Sequence, residues 1–223
     1  MDVSYQLRQF PILSSMSHQE LEELARLSEV RSVAKHAFIY LADEPSDYLC
    51  FLIQGTVKVG IHTADGREIV RSFQHPYTLF GEMGLAGESR RSEFASALNQ
   101  DVRFIAVKTA HFRPFLEHNF SLAQSLLNHL GGRVRRAERH WESLICKDVR
   151  TRIVEFLKET ACQRGRQVGF ETLLKHGFTQ QDIANLVGAS RQTVTSILNE
   201  LRKMNLIHFN RTSILIRDLE KLN

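Results

Sequence analysis

The segment from Thr179 to Lys203 narrows most sharply what this 223-residue chain can fold into. Ile183, Ala184 and Val187 recur at helical spacing, and so do Val194, Ile197, Leu198 and Leu201 after them. Gly188 separates the two groups, and Ser190 stands where it can cap the second. Two short helices joined by a tight turn are expected. Arg191, Gln192, Thr195 and Ser196 then fall on an outward face at the start of the second helix. Arg and Gln reach guanine and adenine edges with two hydrogen bonds each, and a recognition helix offers its N-terminal residues to the major groove. The pattern points to a reader of double-stranded DNA.

The charge distribution agrees. The net charge is only +4. Residues 147–223 hold thirteen Lys and Arg against eight Asp and Glu, whereas residues 1–146 are close to neutral. The excess positive charge therefore sits on the segment with the helix-turn-helix pattern, as a polyanionic partner requires. With 43% hydrophobic and 24% charged residues, the chain is expected to fold throughout. No apolar run reaches the roughly 18 residues of a membrane span, and the N-terminus lacks a basic-then-apolar signal pattern. Cys50, Cys146 and Cys162 are far apart with no zinc spacing, and buried reduced thiols are expected. A cytoplasmic protein fits these features.

Along the chain, residues 4–29 read as helical, with Ser17 and Glu20 as a capping box. From Val30 to about Val107 short β-type runs follow at residues 38–41, 48–53, 57–61, 68–73, 94–98 and 102–107. Turn signals separate them, Asp65-Gly66 being the clearest hairpin. This spacing predicts an antiparallel roll or jelly roll rather than βαβ units. From Pro114 the period becomes helical again. Leu127, Leu130, Val134, Ala137, Trp141 and Leu144 form a heptad seam across Gly131-Gly132, flanked by Arg133 and other charges. Pairing with a second copy explains that seam better than packing in a core does. Asp148 is expected to cap a further helix over Val149–Cys162, with a hinge near residues 146–149. Residues 206–209 and 214–217 alternate around a turn, in the place of a wing. The expected class is α+β, in three parts: a sensor β-roll over 1–113, a dimerisation helix over 114–146 and a winged helix-turn-helix domain over 147–223.

This order of parts resembles the Crp–Fnr family of bacterial transcription regulators. Two stretches carry the resemblance. Gly81-Glu82-Met83-Gly84-Leu85, with Arg91-Ser92 following, is similar to the family's phosphate-binding cassette. Ile183–Val194, with Gly188, Ser190-Arg191 and Thr193-Val194, is similar to its helix-turn-helix. The resemblance implies that Glu82 would bind a ribose hydroxyl of a cyclic nucleotide and that Arg91 and Ser92 would bind its phosphate, with Gly81 offering a backbone N–H. The bland alternative is that Arg91 and Glu82 pair with each other inside the roll.

Three departures count against cyclic AMP. Ala137 and Glu138 stand where the cyclic-AMP binders of the family offer Thr-Ser. The cassette is one residue shorter and is followed by Glu93, an extra negative charge. Lys35-His36-Ala37 and Ala42-Asp43 occupy turns where the family often places Gly. No cysteine precedes Cys50, so an iron–sulfur cluster of the family's N-terminal type is not expected, and no spacing among the ten His favours haem. A regulator without a small-molecule ligand, controlled by abundance or a protein partner, stays open beside a gated one. A cupin-type oxygenase would need grouped His ligands, which His36, His62, His75 and His111 do not form.

On the DNA side, Arg191 is expected to read guanine and Gln192 adenine. Many relatives carry Glu at the position of Gln192 and Arg at that of Ser196, so an altered half-site follows. Thr179, Gln180, Thr193, Thr195 and Arg211 are candidates for phosphate contacts. The resemblance also implies contact with RNA polymerase, for which the expected loop over 165–177 is a candidate by position.

Overall fold

A computed structural model describes residues 2–210 and 212–222, and the chain forms two compact units, Met1–Arg136 and Ala137–Asn223. In the first unit the helical stretch expected over 4–29 consists of short pieces and ends in a strand. Asp2 caps α1 (Val3–Leu7), a 3-10 turn runs over Pro11–Leu13, and Ser17 opens α2 (His18–Arg26) with the capping box completed by Glu20. Pro11 has no N–H for a continuing helix, so the chain breaks there. The segment then turns into β1 (Ser28–Val33), which pairs antiparallel with a strand more than seventy residues later. Local periodicity carries no signal of such a partner.

The expected runs are strands β2 (Phe38–Tyr40), β3 (Tyr48–Gln54), β4 (Val57–His62), β5 (Glu68–Gln74), β7 (Phe94–Ala97) and β8 (Val102–Lys108), with a short β6 (Leu79–Phe80) added. They form two antiparallel four-stranded sheets, in the orders β1-β8-β3-β6 and β2-β7-β4-β5. Successive side chains of a strand point to opposite faces, and β3 is buried on both. Leu49 and Phe51 join the α1–α2 residues Leu7 and Leu24 together with Phe10, while Cys50 and Leu52 face Tyr40, Val59 and Phe80. Complete burial of a side chain such as Phe51 is worth about 2–3 kcal/mol. Asp65-Gly66 forms the β4–β5 turn, with Gly66 at φ 79° donating its N–H to the Thr63 carbonyl.

Helix α3 spans Thr109–His118 and carries Pro114 inside it, so the helical region begins five residues earlier than Pro114 suggests. After Asn119, whose side-chain oxygen accepts from the Leu122 N–H, α4 runs unbroken over Phe120–Cys146. At 1.5 Å per residue this is about 40 Å of helix. It crosses Gly131-Gly132 without a break and passes from the first unit into the second.

In the second unit Asp148 caps α5 (Val149–Arg164) by accepting from the Thr151 N–H at 2.7 Å. The loop expected over 165–177 is instead mostly a hairpin, β9 (Arg166–Val168) and β10 (Glu171–Lys175). Thr172 and Leu174 of β10 are buried, and β10 pairs with β12 (Ser213–Ile216), so its extended form depends on a partner forty residues away. Helices α6 (Gln180–Val187) and α7 (Arg191–Lys203) follow, then β11 (Ile207–Phe209), in a sheet ordered β11-β12-β10-β9. Of the three cysteines only Cys50 is buried. Cys146 and Cys162 are exposed, which corrects the expectation of three buried thiols.

Candidate functional site

The helix-turn-helix is assembled by three local devices. Thr179 caps α6, its hydroxyl accepting from the Asp182 N–H while the Asp182 carboxylate accepts from the Thr179 N–H. Gly188 turns the chain at φ 68°, a left-handed conformation that suits glycine. Ser190 caps α7 by accepting from the Thr193 N–H at 3.0 Å. Ile183, Ala184, Val187, Val194, Leu198 and Leu201 are buried and Ile197 is half-buried, which presses the two helices together.

That packing leaves Arg191, Gln192 and Ser196 exposed on the first two turns of α7. Thr195 is half-buried. Its hydroxyl donates to the Gln180 side-chain oxygen at 2.6 Å and lies 2.8 Å from the Arg191 carbonyl, so Thr195 and Gln180 tie the recognition helix to the first turn of α6. Thr179 and Thr193 spend their hydroxyls on the caps. Arg211, also expected here, lies outside the described residues.

Around the turn, Arg152 joins the site without any signal in the sequence pattern. It donates to the carbonyls of Leu144, Lys147 and Gly188, at 3.4, 2.9 and 3.3 Å, linking the end of α4 to the C-terminus of α6. His140 feels both its burial and this guanidinium, and its imidazole is held below the ordinary range. Arg150 reaches Glu200 on α7 at 2.5 Å.

The face of α4 divides by heptad position. Leu122 and Leu126 are buried in the roll core and Leu130 packs partly against it. Leu127, Val134 and Trp141 are 66%, 57% and 72% exposed, with Ala137 and Leu144 also exposed. A Trp and several aliphatic side chains exposed along one helix stripe form an apolar surface that the described residues leave largely uncovered.

The cassette residues are held by neighbours other than each other, which corrects the bland alternative of a Glu82–Arg91 pair. Glu82 and Arg91 are both buried, yet they do not pair with each other. Arg91 donates to the Gly81 carbonyl at 2.9 Å and the Tyr48 carbonyl at 2.5 Å, and lies 4.0 Å over the Tyr40 ring. Gly81 sits at φ 70°, where a larger residue would be strained, and a Cβ there would come within 2.8 Å of the Arg91 guanidinium and press on it. Glu82 instead accepts from Arg133 of α4 at 2.7 Å and lies 3.2 Å from the His129 ring. Glu93, also buried, accepts from Arg133 at 3.2 Å and from Arg71 at 3.3 Å. Ser92 is exposed and anchored through its backbone N–H to Glu88. A buried ion pair of this kind holds only because each charge is met by an opposite one.

Burial pushes the Glu82 carboxyl up, but the His129 hydrogen bond and the Arg133 charge outweigh it and hold its pKa at about 2. Burial pulls the Arg133 guanidinium down, and Glu82 and Glu93 more than reverse that. Along the sequence Arg133 is one of several charges flanking the seam, and His129 does not stand out. Their spacing of four on one helix face is the signal that links them.

Comparison with known proteins matches this architecture. A family model described as the cyclic nucleotide-binding domain covers residues 30–119, and one described as the Crp-like helix-turn-helix domain covers residues 151–223. The chain is 32% identical over 184 residues to a CRP-like cAMP-activated global transcriptional regulator of Mycobacterium tuberculosis, covering 82% of each chain. Among solved structures, FixK2 from Bradyrhizobium japonicum superposes with a TM-score of 0.79 at 24% identity, over 87% of this chain and 95% of that one. The transcriptional regulator TTHA1359 of the CRP/FNR family from Thermus thermophilus gives 0.69 at 26% identity, over 87% and 96%. An antiparallel β-roll, a long helix with an exposed apolar stripe and a C-terminal winged helix-turn-helix thus occur together here, and the chain belongs to the Crp–Fnr family of transcription regulators.

Proposed function

We propose that two copies of this chain pair through the α4 stripe at Leu127, Leu130, Val134, Ala137, Trp141 and Leu144 and place their α7 helices in successive turns of one DNA major groove. Half-sites would then be centred about one helical turn, roughly 34 Å, apart on a pseudo-palindrome. Arg191 reads guanine through its two-pronged guanidinium and Gln192 reads adenine, with Ser196 within reach of the same base edges. Gln180, through its side-chain amide N–H groups, and Arg211 contact phosphates, which sets register rather than sequence, while the hydroxyls of Thr179, Thr193 and Thr195 serve the caps and the α6–α7 tie. The roll over 1–113 is the sensor, α4 within 114–146 the pairing element and 147–223 the reader. The second unit also meets RNA polymerase, through the β9–β10 hairpin that replaces the expected loop, and the protein works in the cytoplasm.

The exposure of Arg191 and Gln192 on a capped, core-packed helix carries this reading. It is tested by selecting a binding site from a random duplex pool and measuring Arg191→Ala on that site and on random DNA. Selected-site affinity should fall by about 1–3 kcal/mol, five- to over a hundredfold, with random-DNA affinity changed far less. Equal losses on both would remove Arg191 as a base reader.

A further inference from the structure

The roll carries the family's nucleotide-binding architecture, yet the charges inside its cassette run against an anion. Arg91 is the buried cation of the cassette loop, and both terminal nitrogens of its guanidinium already serve the carbonyls of Gly81 and Tyr48. The Arg91 Nε has no hydrogen-bond partner among the described residues, but one N–H is not the two-pronged donor that holds a phosphate. Two residues on, Glu93 is 3% exposed and points its carboxylate at the same Arg133 that holds Glu82. An entering phosphate would meet that fixed negative charge in a site of low dielectric, where like charges repel strongly. It would also have to draw Arg91 away from two buried carbonyls, leaving them unsatisfied. Glu93 is also met by Arg71 at 3.3 Å, so the guanidiniums of Arg133 and Arg71 are both committed to the carboxylates of Glu82 and Glu93 and offer an entering phosphate no unpaired charge.

We propose that Glu93 is the specificity-determining residue that closes this pocket to cyclic nucleotides. The inference rests on reading the roll as a cyclic-nucleotide-binding-like domain. It goes beyond the proposed function by saying which ligand class the pocket refuses and which residue refuses it.

The test uses the full chain and measures melting temperature and equilibrium binding with cyclic AMP and cyclic GMP, for wild type, Glu93→Ala and Glu93→Gln. Glu93→Gln keeps the side-chain volume and an acceptor for Arg133, so it guards against a misfolded alanine variant. Wild type should show no saturable shift up to about 1 mM nucleotide, because only a ligand that prefers the folded state raises the midpoint. Both variants should gain saturable binding at least about tenfold tighter than that limit, since removing a like charge across a contact restores that much or more. Saturable binding by wild type overturns the proposal, and so does the absence of any gain in Glu93→Gln. Binding of the selected DNA is followed in the same samples without nucleotide. A wild type that binds no DNA site under any condition counts against the regulator function, whereas the role of Glu93 stands or falls on the nucleotide arms alone.

Discussion

Arg133, on the long helix, donates to the fully buried carboxylate of Glu82 over 2.7 Å, and the same guanidinium reaches Glu93 at 3.2 Å. One side chain thus bridges two buried carboxylates, with Arg71 also meeting Glu93 and the His129 ring beside Glu82, and it fastens α4 to the cassette loop. Removing one partner of such a group costs far more than the intact pair is worth, because it strands uncompensated charge. The His129 and Arg133 contacts hold the Glu82 carboxyl well below the usual carboxylate range.

Acid should unlock the roll. The Glu82 carboxyl titrates at about 2 in the folded chain, below its ordinary 4.5. Its contribution is therefore complete above about pH 4.5 and is lost as pH falls toward 2, amounting to up to about 3 kcal/mol. Urea midpoints measured from pH 6 to pH 2 should drop across that window. Arg133→Met should destabilise the unit by roughly 3–5 kcal/mol near neutrality and flatten this acid dependence. A wild-type midpoint that stays level between pH 5 and pH 3 would contradict the assignment.

Trp141 should matter to association and not to the fold of a single chain. Its side chain is 72% exposed and Val134 is 57% exposed on the same stripe, so neither is needed by the cores of the two units. Trp141→Ala should weaken dimerisation by at least about 2 kcal/mol, the range of a buried aromatic anchor at an interface. Val134→Glu should do the same by placing two like charges at the seam. Sedimentation equilibrium reads the outcome, and unchanged dimerisation in both variants would move the interface elsewhere.

Gly188 should resist substitution for a backbone reason. At φ 68° an alanine pays roughly 1–2 kcal/mol for the left-handed conformation. The added Cβ would also come within 2.9 Å of Leu144 Cδ2, a movable side-chain tip, so steric crowding is the smaller part of the penalty. Gly188→Ala should lower the melting temperature, and Gly188→Asn should lower it less, since asparagine tolerates this region. Equal effects of the two would mean that crowding, not φ, sets the cost.

The local devices of this protein are legible in its sequence because each lies within a few residues of its own cause. Ser17 with Glu20, Asp148, Gly188 and Ser190 mark helix ends by side-chain chemistry that acts over one turn. Ile183 through Leu201 mark two packed helices by spacing alone, and that spacing leaves Arg191 and Gln192 on the outward face. The elements that local pattern misplaces are those whose conformation is set from far away. Ser28–Val33 is a strand because Val102–Val107 lies ready to pair with it, and Glu171–Lys175 is one beside Ser213–Ile216.

The pocket shows the same division. Glu82, Arg91 and Glu93 are recognisable as a charged cassette, and Glu93 already stands out as a negative charge too many. Which charge meets which was decided only by the tertiary structure. Arg133 and His129 arrive from a helix some forty to fifty residues downstream, and backbone carbonyls of Gly81 and Tyr48 take up the Arg91 fork. Spacing along a chain determines which residues share a face. The partner of a buried charge is whatever the folded chain brings within about 3 Å of it, because a charge left unsolvated in a low-dielectric interior is costly.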